Sequence, residues 1–345
     1  MKKLFVLRGL VCALASTLFL SASLSAHADQ SEEAAFYKGK TVRLIVGYGP
    51  GGGYDVYARM IASDIGKHLG ANVIVENQPG AGGITALNNL TTLPPDGLAM
   101  MIVNGTGAAL AQLVGQTGVR YDLGKVEHLG TVSASPWVWL VRNDSPYKTP
   151  NDALKANKDV MWGGSGPMDG LSDGAAFTCE ALKMKCRVVM GYGGSNEVAL
   201  AITKGEMDSM YVSDTSANNY VKGGQLIPVA VIGRKKSRFF PEVKTIFDLA
   251  KLDKDEEWLF DFRANLEALG RILVTTPKVP TQRLTFMRAA VKAALTDPEL
   301  VAEGEKTQRY LEFEDAQITE KRAQSIVTDI TPAQRKRVVD ILAIK

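Results

Sequence analysis

The chain has 345 residues, 40 of them basic and 37 acidic, with a formal net charge of +3 and 46% hydrophobic residues. That length exceeds what one hydrophobic core usually serves, so two lobes are the default. Neither a basic stripe nor a basic run interleaved with aromatics is present, which argues against nucleic acid as a partner, and the densest basic cluster, Arg234-Lys235-Lys236 with Arg238, reads as a solvated loop.

The first 28 residues read as a signal peptide. Lys2, Lys3 and Arg8 form a positive n-region, Leu10 to Ala22 is a short apolar run, and Ala26-His27-Ala28 is a small-x-small cleavage site. Cleavage near Ala28 would leave a periplasmic chain with 37 basic and 37 acidic residues, so the basic balance belongs to the leader. No later stretch approaches the roughly 20 apolar residues of a membrane helix. Two cysteines remain, Cys179 and Cys186, in a compartment where disulfides persist. On one helix they would stand about 10.5 Å apart, beyond the ~7 Å reach of a disulfide. A bond therefore requires the chain to turn near Lys183 to Lys185.

From Thr41 the pattern is strand, glycine loop, helix, repeated. Val42 to Tyr48 is a β-rich run, Gly47 to Gly53 a loop, and Val56 to Leu69 a helix with Ile61, Ile65 and Leu69 on one face and Gly70 as its stop. Val73 to Val75 precedes the loop Pro79-Gly80-Ala81-Gly82-Gly83, and a helix through Leu87 and Leu90 ends at Pro94-Pro95-Asp96-Gly97. Leu98 to Val103 precedes Asn104-Gly105-Thr106-Gly107 and a further helix. The grammar resumes after Pro150. Val160 to Trp162 runs into Gly163-Gly164-Ser165-Gly166, and Arg187 to Met190 into Gly191-Tyr192-Gly193-Gly194-Ser195. Met207 to Val212 then ends at Ser213-Asp214. Alternating strands and helices imply a parallel α/β sheet in each of two units, with ligands expected at the carboxyl ends of the strands. From Arg234 the sequence is more helical and is expected to complete the first lobe.

Five glycine loops open helices, where unsatisfied N–H groups and the helix dipole favour anions. Tight turning alone explains each loop singly but the set less well. Gly47, Gly49 and Gly52 also spell G-x-G-x-x-G after a strand, with Glu76 at the end of the next, the pattern of a dinucleotide site. Against it, Pro50 removes an amide from a loop whose work would be donating amides. Enzyme chemistry is disfavoured by elimination. His68 reads as a charge partner at a helix end, and His128 as packed or solvated. Neither Ser165 nor Ser195 lies in G-x-S-x-G, and no His/Cys spacing suits a metal. No catalytic residue, cofactor or metal is expected.

The ordered motifs resemble the periplasmic solute receptors of tripartite tricarboxylate transporters, the Bug-type extracytoplasmic receptors. The resemblance rests on Gly49-Pro50-Gly51-Gly52-Gly53-Tyr54-Asp55 with Ala58-Arg59, on Val75-Glu76-Asn77-Gln78-Pro79-Gly80-Ala81-Gly82-Gly83, and on Pro95-Asp96-Gly97. Gly164-Ser165-Gly166, Gly191-Tyr192-Gly193-Gly194-Ser195, Gly205-Glu206-Met207-Asp208 and Asp214 extend it into the second half. It implies an α/β, two-lobed, type II periplasmic-binding-protein-like architecture with a ligand cleft between the lobes. The expected segments are a signal peptide (1–28), a first lobe (29–132), a second lobe (133–232) and a return to the first (233–345). It further implies a monomer that binds a small organic carboxylate and delivers it to the large and small membrane subunits of a transporter. One ligand carboxylate would be held by amides of the 48–52 and 192–195 loops, partly through water. The residues expected at the ligand are Tyr48, Gly49, Pro50, Gly51, Gly52, Asp55, Gly80, Ala81, Gly82, Asn104, Thr106, Ser165, Gly166, Tyr192, Gly193, Gly194, Ser195 and Asp214. For Asp55 a plain helix-capping role is an equal reading, and for Trp162 core packing is preferred over a place in the pocket wall. Three rivals stay open: a receptor for another transporter class, a carboxylate-sensing partner of a membrane sensor kinase, and an exported nucleotide-dependent oxidoreductase.

Overall fold

The computed structural model describes residues 31–51, 53–164, 170–192 and 195–343. The expected leader and its cleavage position lie outside them. The first sheet contains β1 (Thr41–Val46), β2 (Asn72–Asn77), β3 (Ala99–Asn104), β4 (Glu127–Ser133) and β10 (Arg271–Thr275), in the order β2-β1-β3-β10-β4. The second contains β5 (Trp137–Arg142), β6 (Val160–Gly163), β7 (Cys186–Val189), β8 (Ser209–Ser213) and β9 (Leu226–Ile232), in the order β7-β6-β8-β5-β9. Helices α1 (Gly53–Leu69), α2 (Ile84–Leu90) and α3 (Gly105–Leu113) follow strands of the first sheet. Helices α4 (Pro150–Leu154), α5 (Gly170–Ala181), α6 (Ser195–Thr203) and α7 (Asp214–Lys222) accompany the second. The last third adds α8 (Ile246–Leu249), α9 (Lys254–Leu269), α10 (Thr281–Leu295), α11 (Pro298–Lys306), α12 (Ala316–Val327) and α13 (Pro332–Leu342).

The βαβ repeats are parallel, as the alternating pattern requires: β1 pairs in parallel with β2 and β3, and β6 with β7 and β8. The sheets as wholes are mixed. β10 runs antiparallel between β3 and β4, and β5 antiparallel between β8 and β9. The reason lies in where the chain crosses. Arg271 opens β10 opposite Asn104, the last residue of β3, and Trp137 opens β5 opposite Ser213, the last residue of β8. A strand that enters at the carboxyl ends of parallel neighbours has to run against them.

Strand β10 was hidden in the sequence behind the helical character of its surroundings. Asp253 starts α9 with a capping box: its carboxylate accepts from the Asp255 and Glu256 amides, and the Glu256 carboxylate accepts from the Asp253 amide. The helix ends at Gly270, whose φ of 50° brings its backbone against Ser133 and Ala134, where a Cβ would collide. The last third also serves both sheets. Helices α10 and α12 pack on β4, whereas α9 and α13 pack on α5, and Arg337 of α13 forms ion pairs with Glu180 and Asp255.

The apolar stripe read on α1 is the core face: Ile61, Ile65 and Leu69 are fully buried, each contributing about 1.5–3 kcal/mol on burial. Trp139 and Trp162 are buried neighbours with tilted rings whose centroids stand 5.0 Å apart, so Trp162 is a core residue. After α5, Lys183 takes a left-handed φ of 51° and the Met184 amide bonds to the Cys179 carbonyl. This turn brings the Cα atoms of Cys179 and Cys186 to 6.2 Å, with their sulfurs bonded. The ring is short, so the bond should contribute about 2–3 kcal/mol. Periplasm-purified protein is expected to gain 2 Da on the pair only after reduction, and Cys179→Ala with Cys186→Ala to lower the denaturant midpoint. Two alkylatable thiols without reductant would contradict this.

Candidate functional site

A cavity of about 510 Å³ lies between the two sheets at the carboxyl ends of β3, β4 and β8. The first turns of four helices reach it. Tyr54 with Tyr57 comes from α1, Thr106 with Gly107 from α3, Gly170 with Asp173 from α5, and Thr215 with Ser216 from α7. Helix N-termini carry partial positive charge, so their convergence favours an anion. Ser133, Ser135 and Ser213 add hydroxyls where the chain crosses, and Trp137 supplies an apolar wall.

Two guanidinium groups line this cavity. Arg263 of α9 is fully buried, forms an ion pair with Glu267 and donates to the Gly170 carbonyl. Burial opposes its charge, but Glu267, Tyr211 and Asp173 outweigh that and hold the group above its ordinary range. Arg271 is different. Its guanidinium carbon stands 4.5 Å from the Tyr57 ring and 5.1 Å from the Tyr54 ring. Tyr48 stacks on Tyr54 at 4.7 Å, so three tyrosines and one arginine form a single wall.

Asp55 organises the adjoining loop. It is 2% exposed and is the third residue of α1. One oxygen accepts from the Gly51 amide and Arg59 Nε, the other from Arg59 Nη2 and Asn77 Nδ2. Asn77 also donates to the Tyr48 carbonyl, and the Tyr48 hydroxyl donates to the Gly82 carbonyl, so both glycine loops are tied together. The Arg59 guanidinium, followed by the Gly51 amide, holds the Asp55 carboxyl down at about 2. This is a clamp on the segment before the helix rather than a cap on its first amides.

Of the residues expected at the ligand, Asn104 and Thr106 line the cavity. Tyr48, Ala81 and Gly82 line a smaller one of about 280 Å³ that shares Asn104 and Gly107 with it. Asn104 accepts from the Gly107 amide as the cap of α3, and Thr106 donates to the Leu266 carbonyl of α9. Gly49, Pro50 and Gly51 are exposed and line neither cavity, nor does Gly80. Tyr192 packs against an apolar cluster on the second sheet, and Ser195 accepts from the Tyr220 hydroxyl. Gly52, Ser165, Gly166, Gly193 and Gly194 lie outside the described residues. Asp214 is buried, accepts from Ser237 and donates its amide to the Pro136 carbonyl; burial pushes its carboxyl up. It lines a separate cavity of about 720 Å³, reached across Ala134 and Ser135, whose wall charges pair with each other, as in Arg234–Asp261 and Lys235–Glu314. Glu76, the acid of the dinucleotide pattern, is engaged by Arg43 and Gln78. His128 is fully buried, with Nε2 on the Leu123 carbonyl, and lines none of these cavities.

The sequence profile of the tripartite tricarboxylate transporter family receptor matches residues 57–331. The chain belongs to that receptor family. A UPF0065 protein of Cupriavidus necator, encoded in a gbd 5' region, is 31% identical to this receptor over 255 residues, covering 71% of this chain and 73% of that one. A TctC solute binding protein from Polaromonas, solved without ligand, superposes with a TM-score of 0.74 at 22% identity, over 88% of the receptor and 99% of that chain. A Rhodopseudomonas palustris protein with bound malate gives 0.59 at 19% identity, over 88% and 99%. The receptor thus shares the fold of these two solved proteins.

Sequence reasoning missed the receptor's Tyr54, Tyr57, Trp137, Arg263 and Arg271. Tyr54 and Tyr57 carried a signal, being three residues apart at the start of α1. Arg271 carried a weaker one, a Gly-Arg pair before the short apolar run Ile272 to Val274.

The clamp has a pH signature. A carboxyl depressed to about 2 in the folded state, against roughly 3.9 unfolded, stabilises the fold above about pH 4 and loses that contribution as pH falls through about 2. Asp55→Ala is expected to lower stability by about 1–3 kcal/mol near neutrality, since it strands buried donors. The gap between wild type and variant in urea midpoint should shrink by about pH 3. A gap of constant size would show that the carboxylate charge is not what holds the loop.

Proposed function

We propose that this receptor captures a small organic carboxylate in the 510 Å³ cavity and hands it, unchanged, to the membrane subunits of a tripartite transporter. The observation that carries the reading is the convergence of four helix N-termini, serine and threonine hydroxyls and a guanidinium on one cavity between two sheets. Its volume falls in the range that encloses a small molecule. The family model describes a receptor of tripartite tricarboxylate transporters, and a protein of like fold holds malate. The chain acts in the periplasm after removal of a leader near Ala28, as a monomer of two lobes. Residues 29–132 and 133–232 supply the lobes, and the last third bridges them. Large and small membrane subunits are the partners in this reading. Turnover is not part of it, because among the described residues His68 and His128 do not line the cavity and the carboxylates on its wall, Asp173 and Glu267, are committed to the field around Arg263.

A thermal-shift screen tests the reading with malate, citrate, adipate, glutamate and benzoate. At least one acid is expected to raise the melting temperature; at a hundredfold its dissociation constant the gain is about 2.7 kcal/mol. The acid should be recovered intact after stoichiometric incubation. No stabilisation by any of the acids, or an altered product, would contradict the proposal.

A further inference from the structure

We propose that Arg271 is a direct contact for an anionic group of the ligand and makes recognition depend on charge; this rests on the receptor reading above. Arg271 is the first residue of β10, placed at the carboxyl end of β3 by its pairing with Asn104. Its side chain is half-buried on the cavity wall, between the faces of Tyr54 and Tyr57. Aromatic faces position a guanidinium without neutralising it.

Three observations point the same way. Among the described residues no carboxylate lies within ion-pair distance of Arg271, whereas Arg59, Arg263, Arg283 and Arg322 each have one. Its Nε is buried and has no hydrogen-bond partner among the described residues, although a buried donor is normally satisfied. One terminal nitrogen lies beside Gly53, 3.7 Å from where a Cβ would stand, so the guanidinium edge faces the first turn of α1. A carboxylate laid on that edge would accept two parallel N–H bonds from the guanidinium and lie in the positive field of a 17-residue helix. The ligand class that fits is a small acid with one ionised carboxylate at the Tyr54–Tyr57 wall and the rest of its body toward Trp137 and the hydroxyls of Ser213 and Thr215.

The test uses the full mature chain and whichever of malate, citrate, adipate, glutamate and benzoate binds wild type most tightly, with the neutral amide of that acid as control. Calorimetric titrations compare wild type with Arg271→Gln, and circular dichroism checks the fold. Arg271→Met, which fills the same space between the rings, serves if the glutamine variant does not fold. The expected result is a loss of at least tenfold in affinity for the acid, with the amide binding at least tenfold more weakly than the acid to wild type. A loss smaller than tenfold in the folded variant overturns the inference and leaves the receptor reading standing, with helix amides as the anion site. Binding of none of the acids by wild type overturns the receptor reading and the inference with it.

Discussion

Strands β5 and β10 enter their sheets at the carboxyl ends of the parallel strands, and the position of the cavity follows from that constraint. The chain passes from β4 to β5 through residues 134–136, and back through α9 into β10. Both crossings bring backbone to the end of each sheet where βα loops and helix N-termini already gather. Hydroxyls and guanidinium side chains then meet there without any single loop having to reach far. Gly270 is part of the same arrangement: its carbonyl accepts from the Gly105 amide, and its bare Cα lets β10 start hard against Ser133. The crossing and the floor of the site are one piece of structure.

Arg263 and Arg271 show two ways of keeping an arginine in a half-dry place. Arg263 is fully buried and paired with Glu267, with aromatic rings around it, so its charge serves the joint between α5 and α9. Removing one partner of such a pair leaves the other uncompensated, which is the costly event. Arg271 has rings on its flanks and no carboxylate within ion-pair distance among the described residues. The first arrangement consumes a charge for architecture, and the second presents one to the cavity.

The βα grammar of residues 41–113 was legible because each strand was a short apolar run and each helix carried a stop signal such as Gly70 or Pro94-Pro95. The turn at Lys183 was legible from reach alone, since two cysteines on one helix cannot meet. The antiparallel strands were not. β10 follows a helix with strong propensity and lasts five residues, and its direction depends on a crossing that no local pattern encodes. Glycine loops pointed to the end of the sheets where the cavity lies, whereas the 49–51 segment itself does not line it. Gly49 to Gly51 are exposed, and Asp55, which that motif marked, spends both oxygens on holding the loop. The residues that face the cavity flank Asp55 at the start of α1, as Tyr54 and Tyr57, or arrive from sequence more than 200 residues away, as Arg271. Periodicity reports which face is buried; it does not report which distant strand begins beside a given helix.

The most direct measurement is a crystal structure of the mature receptor grown with its tightest-binding acid. The account predicts electron density for that acid in the cavity between the sheets, in contact with the Tyr54–Tyr57 wall on one side and the Ser213–Thr215 hydroxyls on the other. Density instead in the 720 Å³ cavity beside Asp214, or on the loop around Tyr192, would contradict it.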